Sequence, residues 1–204
     1  MVSLHLIFYN CLELRFPDVE TNPSSRRPVP GACSILCSNV LGLSMNLSDV
    51  TVASFQYDLL LCSETLVSDR HHISELLVPG FDRNVLLCRD GMPRAHGMTA
   101  YVRDGYGVFH QPKFERGCCE MLVFRVCGAR QNFCVFSLYR NPDLDDWIYD
   151  CLPTAMAAVQ TADVRASFLF VGDLNDHHQE LLGSTITNRQ GVSAHDFATV
   201  LGCD

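Results

Sequence analysis

Apolar residues fall in short unbroken runs along this chain, and polar residues gather where each run stops. Cys33–Val40, Asp58–Cys62 (D-L-L-L-C), Val85–Cys88, Met98–Arg103, Tyr106–His110, Glu120–Val126, Phe133–Leu138 and Ser167–Val171 predict strands. Runs of that length, rich in branched and aromatic residues, suit strands buried on one or both faces. Asp104-Gly105 predicts a hairpin between the fourth and fifth of these runs, and Gly128–Gln131 a second between the sixth and seventh. Asn46–Phe55 predicts a short helix with Asn46 as its N-cap. His71–Leu77 predicts a helical turn or two, stopped by Pro79-Gly80. After Asn141-Pro142 comes a helix whose first turn carries Asp143, Asp145 and Asp146, which suits the dipole, and whose apolar positions recur to about Ala162. A last helix, carrying Phe197, Val200 and Leu201, is expected to begin at Ser193 or His195. Many strands with a few helices between them predict a layered α+β sandwich, and no internal repeat is present.

The folded part is expected to begin near Cys33, which divides the chain into a poorly ordered segment and linker over 1–31 and a domain over 32–204. Met1–Tyr9 holds a brief apolar run but lacks the basic start and small-residue cleavage site of a signal peptide. No run approaches the roughly 18 apolar residues of a membrane span, so no membrane association is expected. Asp18–Pro30 is polar and proline-rich and reads as a linker. It resembles the ribosome-skipping peptides of viruses and retroelements: Asp18, Val19, Glu20, Asn22 and Pro23 match their core. Ser24 and Ser25 replace the glycine and proline between which skipping occurs, so by resemblance the motif is degenerate.

At 204 residues, 48% hydrophobic and 19% charged, the composition is that of one globular domain. The net charge of −8 argues against non-specific coating of DNA, which needs a basic field. It leaves room for a nuclease in which a divalent cation supplies the positive charge. Lys113 is the only lysine, the other basic residues being arginine. Arginine forks suit phosphate oxygens, and a biased coding sequence produces the same skew. Most of the 11 cysteines, among them Cys37, Cys62, Cys88, Cys127 and Cys134, lie inside apolar runs, where cysteine acts as a small buried hydrophobe. Cys118-Cys119 lacks the spacing of a zinc site. A reduced intracellular compartment is expected.

Four apolar runs end in polar residues: Asn39, Glu64, Tyr139-Arg140-Asn141, and Asp173-x-Asn175. Singly, each reads as well as a turn former, an exposed carboxylate, a core aromatic or an Asx turn. Together and in this order they resemble the endonuclease/exonuclease/phosphatase superfamily, and most of all the endonuclease domain of non-LTR retrotransposons. The resemblance rests on Ser38-Asn39-Val40, L-L-L-C-S-E-T ending at Thr65, Gly97-Met98, V-F-S-L-Y-R-N-P ending at Pro142, and V-G-D-L-N followed by Asp176, His177 and His178.

The resemblance implies a four-layer αββα sandwich of the DNase I-like type and Mg2+-dependent cutting of DNA that frees a 3′-hydroxyl to prime reverse transcription. An active enzyme of this kind belongs in the nucleus, and no obligate protein partner is implied. Glu64 and Asn39 are the implied metal ligands, with Mg2+ as the ion and Mn2+ as an alternative; oxygen donors suit such hard cations. Asp173 is implied to orient or deprotonate the attacking water, Asn175 to hold the phosphate, and Tyr139 to lie beside the scissile group. Arg140 is expected to add a forked phosphate contact. His177 and His178 read as solvated loop histidines.

Two departures qualify this reading. Ser38 stands where many relatives have Trp, and the family's closing Ser-Asp-His segment is not found before Asp204. His195-Asp196 comes too soon after Asp173 to replace it. The expected domain is therefore incomplete at its C-terminus and of low activity or inactive. A phosphoesterase of the same fold acting on another phosphate, and a non-catalytic remnant, are the alternatives.

Overall fold

Leu59–Ser63 shows how the molecule is layered: all five residues are buried, although neighbouring side chains on a strand point to opposite faces. Leu59 and Leu61 pack into one core, and Leu60 and Cys62 into another. A strand hydrophobic on both faces must be sandwiched, and the computed structural model shows by what. It describes residues 4–8, 11–17, 32–67, 71–87, 97–115, 120–127, 132–141, 148–182 and 184–201.

In chain order the elements are β1 (Leu4–Phe8), β2 (Cys11–Pro17), β3 (Ala32–Asn39), α1 (Leu43–Ala53), β4 (Leu59–Ser63), β5 (Phe81–Leu87), β6 (Met98–Arg103) and β7 (Val108–His110). Then follow β8 (Glu120–Cys127), β9 (Asn132–Tyr139), α2 (Ile148–Ala162), β10 (Ser167–Asp173), α3 (Gln179–Leu182) and α4 (Arg189–Leu201). They form two five-stranded sheets, ordered β1-β10-β9-β8-β7 and β2-β3-β4-β6-β5.

The inward residues of both sheets, such as Ile35, Leu61, Ala100, Phe124, Val135 and Val171, share the central core. On the far side of the first sheet, Met121, Phe136, Phe168 and Phe170 pack under Leu152 and Met156 of α2 and Phe197 of α4. On the far side of the second, Leu60, Cys62 and Tyr101 pack under Leu43 and Val50 of α1. Two sheets inside, helices outside and three cores between make an α+β αββα sandwich. Cys33, Cys62, Cys127 and Cys134 are buried free thiols, as expected of cysteines in apolar runs, and Cys37 is buried with them. Cys88 and Cys118-Cys119 lie outside the described residues.

Four expectations need correction. The segment before residue 32 is not wholly a linker: β1 pairs parallel with β10 and β2 antiparallel with β3. Residues 18–31, with the degenerate skipping motif, lie outside the described residues. Asp104-Gly105 is not a hairpin turn: β6 pairs with β4 and β5, while β7 pairs with β8 in the other sheet. The chain changes sheets there because Tyr106 and Val108 both enter the central core.

Helix α1 begins at Leu43 rather than Asn46. Its first donors are met from outside, with Gly42 N donating to Glu64 O (2.8 Å) and Leu43 N to Thr65 O (2.8 Å), so no side-chain cap is needed. Asn46 sits inside at a non-helical φ of −110°, its Nδ2 donating to Val40 O at 2.8 Å. Helix α4 begins at Arg189, because Asn188 Oδ1 accepts from Gly191 N at 2.6 Å and caps it. Asp143, Asp145 and Asp146, expected in the first turn of α2, lie outside the described residues.

Candidate active site

Each sheet contains a parallel pair joined by a crossover helix, β3-α1-β4 in one and β9-α2-β10 in the other. Parallel strands linked this way finish at the same end. Asn39 therefore lies beside Ser63, which precedes Glu64, and Tyr139 beside Asp173. Stacking the sheets joins the two sets of ends. Asn39 Nδ2 donates to Asp173 Oδ2 at 2.9 Å, and Tyr139 OH donates to Glu64 Oε1 at 3.0 Å. Two hydrogen bonds thus cross from sheet to sheet at one mouth.

The backbone around these groups is bent to present them. Glu64 and Asn175 both have φ of 52°, a left-handed conformation rare for residues other than glycine. Glu64 is held by its neighbours: its carbonyl accepts from Gly42 N, and Thr65 N donates to Gly97 O at 3.1 Å. Gly172 precedes Asp173 at φ 147°, where a Cβ would lie 1.8 Å from Leu138 O. Only glycine lets β10 approach β9 so closely at this point.

Asp173 is 9% exposed and gripped on both oxygens, by Asn39 at Oδ2 and by Asn175 N at Oδ1 (3.2 Å). Asn39 Oδ1 accepts from Leu41 N at 3.2 Å. Tyr139 is 1% exposed. Burial, then the charge and hydrogen bond of Glu64 and the charges of Glu120 and Asp173, push its phenol far above the ordinary tyrosine range. It stays a neutral hydrogen-bond donor.

Arg140 does not extend towards a ligand as expected. Its guanidinium, 4% exposed, donates to Leu174 O (2.7 Å), Asn175 O (3.0 Å), Asn141 O (3.3 Å) and Asp176 Oδ1 (3.0 Å). Burial beside an acidic partner and several backbone carbonyls draws the fork into the protein. Asn175 Nδ2 donates back to Arg140 O at 2.8 Å. Arg140 thus shapes the loop that carries Asn175.

Glu120 was not singled out from the sequence. It opens β8 directly across the ladder from Tyr139, is 5% exposed, and accepts from Gly97 N at 2.9 Å. The available signal was a carboxylate at the head of the apolar run E-M-L-V-F. His177 is exposed as expected, whereas His178 stacks on His195 of α4, ring centroids 4.5 Å apart.

Glu64, Asn39 and Asp173 make an all-oxygen donor set, suited to a hard cation that keeps most of its water. Ser63 Oγ and Thr65 Oγ1, on either side of Glu64 in the chain, are buried without a hydrogen-bond partner among the described residues. Among the described residues no group of three or more His, Cys, Asp or Glu side chains is arranged to hold a metal ion.

No protein-family model matches the sequence, and no curated protein matches it either. Solved structures do. The endonuclease domain of TRAS1, a telomere-specific non-LTR retrotransposon, superposes with a TM-score of 0.60 at 16% identity, covering 82% of this chain and 71% of that one. The AP endonuclease LMAP from Leishmania major gives 0.60 at 14% identity, covering 81% and 65%. The APE2 catalytic domain of Xenopus laevis gives 0.58 at 13% identity, covering 81% and 66%. The chain thus spans about two thirds of the length of these three structures. Among the described residues no helix is long and apolar enough to cross a membrane. With two stacked sheets between helical layers and these structural neighbours, the chain has the endonuclease/exonuclease/phosphatase, DNase I-like, fold.

Proposed function

We propose that this chain carries the site of a divalent-metal-dependent phosphodiesterase acting on DNA, of the kind that nicks one strand to leave a 3′-hydroxyl for reverse transcription. The observation that supports it most is the pair of sheet-to-sheet hydrogen bonds, Asn39 to Asp173 and Tyr139 to Glu64, which draw four chemically apt residues to one mouth. The likeness to a retrotransposon endonuclease domain supports DNA as the substrate.

Glu64 and Asn39 would hold Mg2+, which supplies Lewis-acid stabilisation of charge on the phosphate. Asp173, fixed at both oxygens, is a carboxylate with little freedom to turn away, as a group that orients or deprotonates water must be. Tyr139, kept neutral, offers its phenol as a donor to developing negative charge. Asn175, turned by its left-handed backbone, offers the second Nδ2 proton to a phosphate oxygen.

Purified chain on supercoiled plasmid with Mg2+ is the test. Mg2+ binding that Glu64→Gln weakens is expected, with at most weak nicking that chelation and Asp173→Ala abolish. Nicking that survives Asp173→Ala, or a chain that neither nicks nor binds Mg2+, overturns the reading.

A further inference from the structure

Beyond the groups placed at the mouth, a second carboxylate is buried three residues after Asp173. The side chain of Asp176 is 1% exposed. Its Oδ1 accepts from Arg140 at Nη2 (3.0 Å) and Nε (3.2 Å), and its Oδ2 accepts from the hydroxyl of Tyr149. Tyr149 belongs to α2 and packs its ring on Phe197 of α4, centroids 5.7 Å apart. Asp176 is thereby pulled into the helical layer, away from the mouth.

Asn175, the residue just before it, needs holding. Its left-handed φ of 52° is uncommon for a side-chain-bearing residue, and although asparagine tolerates it better than most, the aim of its amide still depends on its neighbours. Arg140 meets Asn175 twice, donating to its carbonyl at 3.0 Å and accepting from its Nδ2 at 2.8 Å. The same guanidinium is anchored by Asp176. A buried ion pair is a poor way to gain stability, since desolvation offsets much of the attraction. It is a good way to hold one arginine in one orientation, because the planar fork fits a carboxylate in a fixed geometry.

We infer that Asp176 is a positioning residue: through Arg140 it fixes the turn that presents Asn175, and it touches no substrate itself. This rests on the phosphodiesterase reading in so far as Asn175 is taken to meet a phosphate. Tyr149 is the third member of the network, locking the other carboxylate oxygen so that Asp176 cannot rotate away from Arg140.

The test is a double-mutant cycle on the 15N-labelled full chain, read by NMR at the Asn175 side-chain amide and by binding of Mg2+ alone and of a short DNA duplex. Asp176→Asn should shift the Asn175 amide signals, weaken duplex binding about tenfold, leave Mg2+ affinity within about twofold, and have no further effect on duplex binding in an Asn175→Ala background. Duplex-binding losses that multiply, Mg2+ affinity that falls in parallel, or Asn175 signals that do not move would each overturn the inference. Should Asp176→Asn fail to fold, Tyr149→Phe, which removes one hydrogen bond to the same carboxylate, takes its place in the cycle. Wild-type chain that binds neither Mg2+ nor duplex refutes the phosphodiesterase reading, and the NMR arm still decides whether Asp176 sets Asn175.

Discussion

Asn39 and Asp173, 134 positions apart and on strands of different sheets, share a hydrogen bond of 2.9 Å from amide to carboxylate. This contact fixes the Asp173 carboxylate at a mostly buried place. Asn39→Asp would remove the amide donor and set two carboxylates against each other at close range. The folded state should lose about 1–3 kcal/mol in urea unfolding. A variant as stable as the wild type would show that the two groups do not meet.

The left-handed, close-packed position of Gly172 makes a second expectation. Gly172→Ala drives a Cβ to within 1.8 Å of Leu138 O, so β9 and β10 must part just before Tyr139 and Asp173. A destabilisation of about 3 kcal/mol is expected in urea unfolding, on the scale of other backbone-strain substitutions. Mg2+ binding should weaken as well. Unchanged stability would mean that the ladder yields at little cost.

Glu120 offers a third. Removing its carboxylate leaves the buried Gly97 N–H without that acceptor, and Gly97 O in turn holds Thr65 N beside Glu64. Glu120→Ala should cost about 1–3 kcal/mol and lower Mg2+ affinity. Glu120→Gln, which keeps an acceptor oxygen, should retain most of both. Equal losses in the two variants would point to charge and not to the hydrogen bond.

Alkaline pH is the fourth. Burial pushes the thiols of Cys33, Cys62 and Cys134 up to about 12, and burial followed by nearby negative charge holds the Tyr139 phenol higher still. These groups are raised in the folded state, so their stabilisation is complete below the unfolded pKa values. It is lost as pH rises, from about 8.5 for thiols and about 10 for phenols. Under reducing conditions, Tm should fall steadily above about pH 8.5, and Tyr139→Phe should lessen the part of the fall above about pH 10, to which the raised phenols of Tyr101 and Tyr106 also contribute. A flat Tm up to pH 11 would contradict this.

Much of the architecture could be read along the chain, because burial on both faces writes itself locally. D-L-L-L-C and S-F-L-F-V are apolar without alternation, and both are central strands sandwiched between cores. The polar residues at their ends were legible for the same reason: an apolar run that stops abruptly marks where a strand leaves the core. Local pattern carries no information about distant partners. Asp104-Gly105 reads as a hairpin, yet β7 joins the other sheet, because the choice depends on how Tyr106 and Val108 fill a core shared with β3 and β10. Asn46 reads as a cap, but donors at Gly42 and Leu43 find the carbonyls of Glu64 and Thr65 and start the helix earlier. Arg140 reads as a fork for phosphate, while Asp176, 36 positions later, turns it inward. Sequence by itself determined which residues stand at the strand ends. Only the stacking of two sheets decided that Asn39 meets Asp173 and Tyr139 meets Glu64, because hydrogen bonds between such distant positions exist only once the core has brought them within reach.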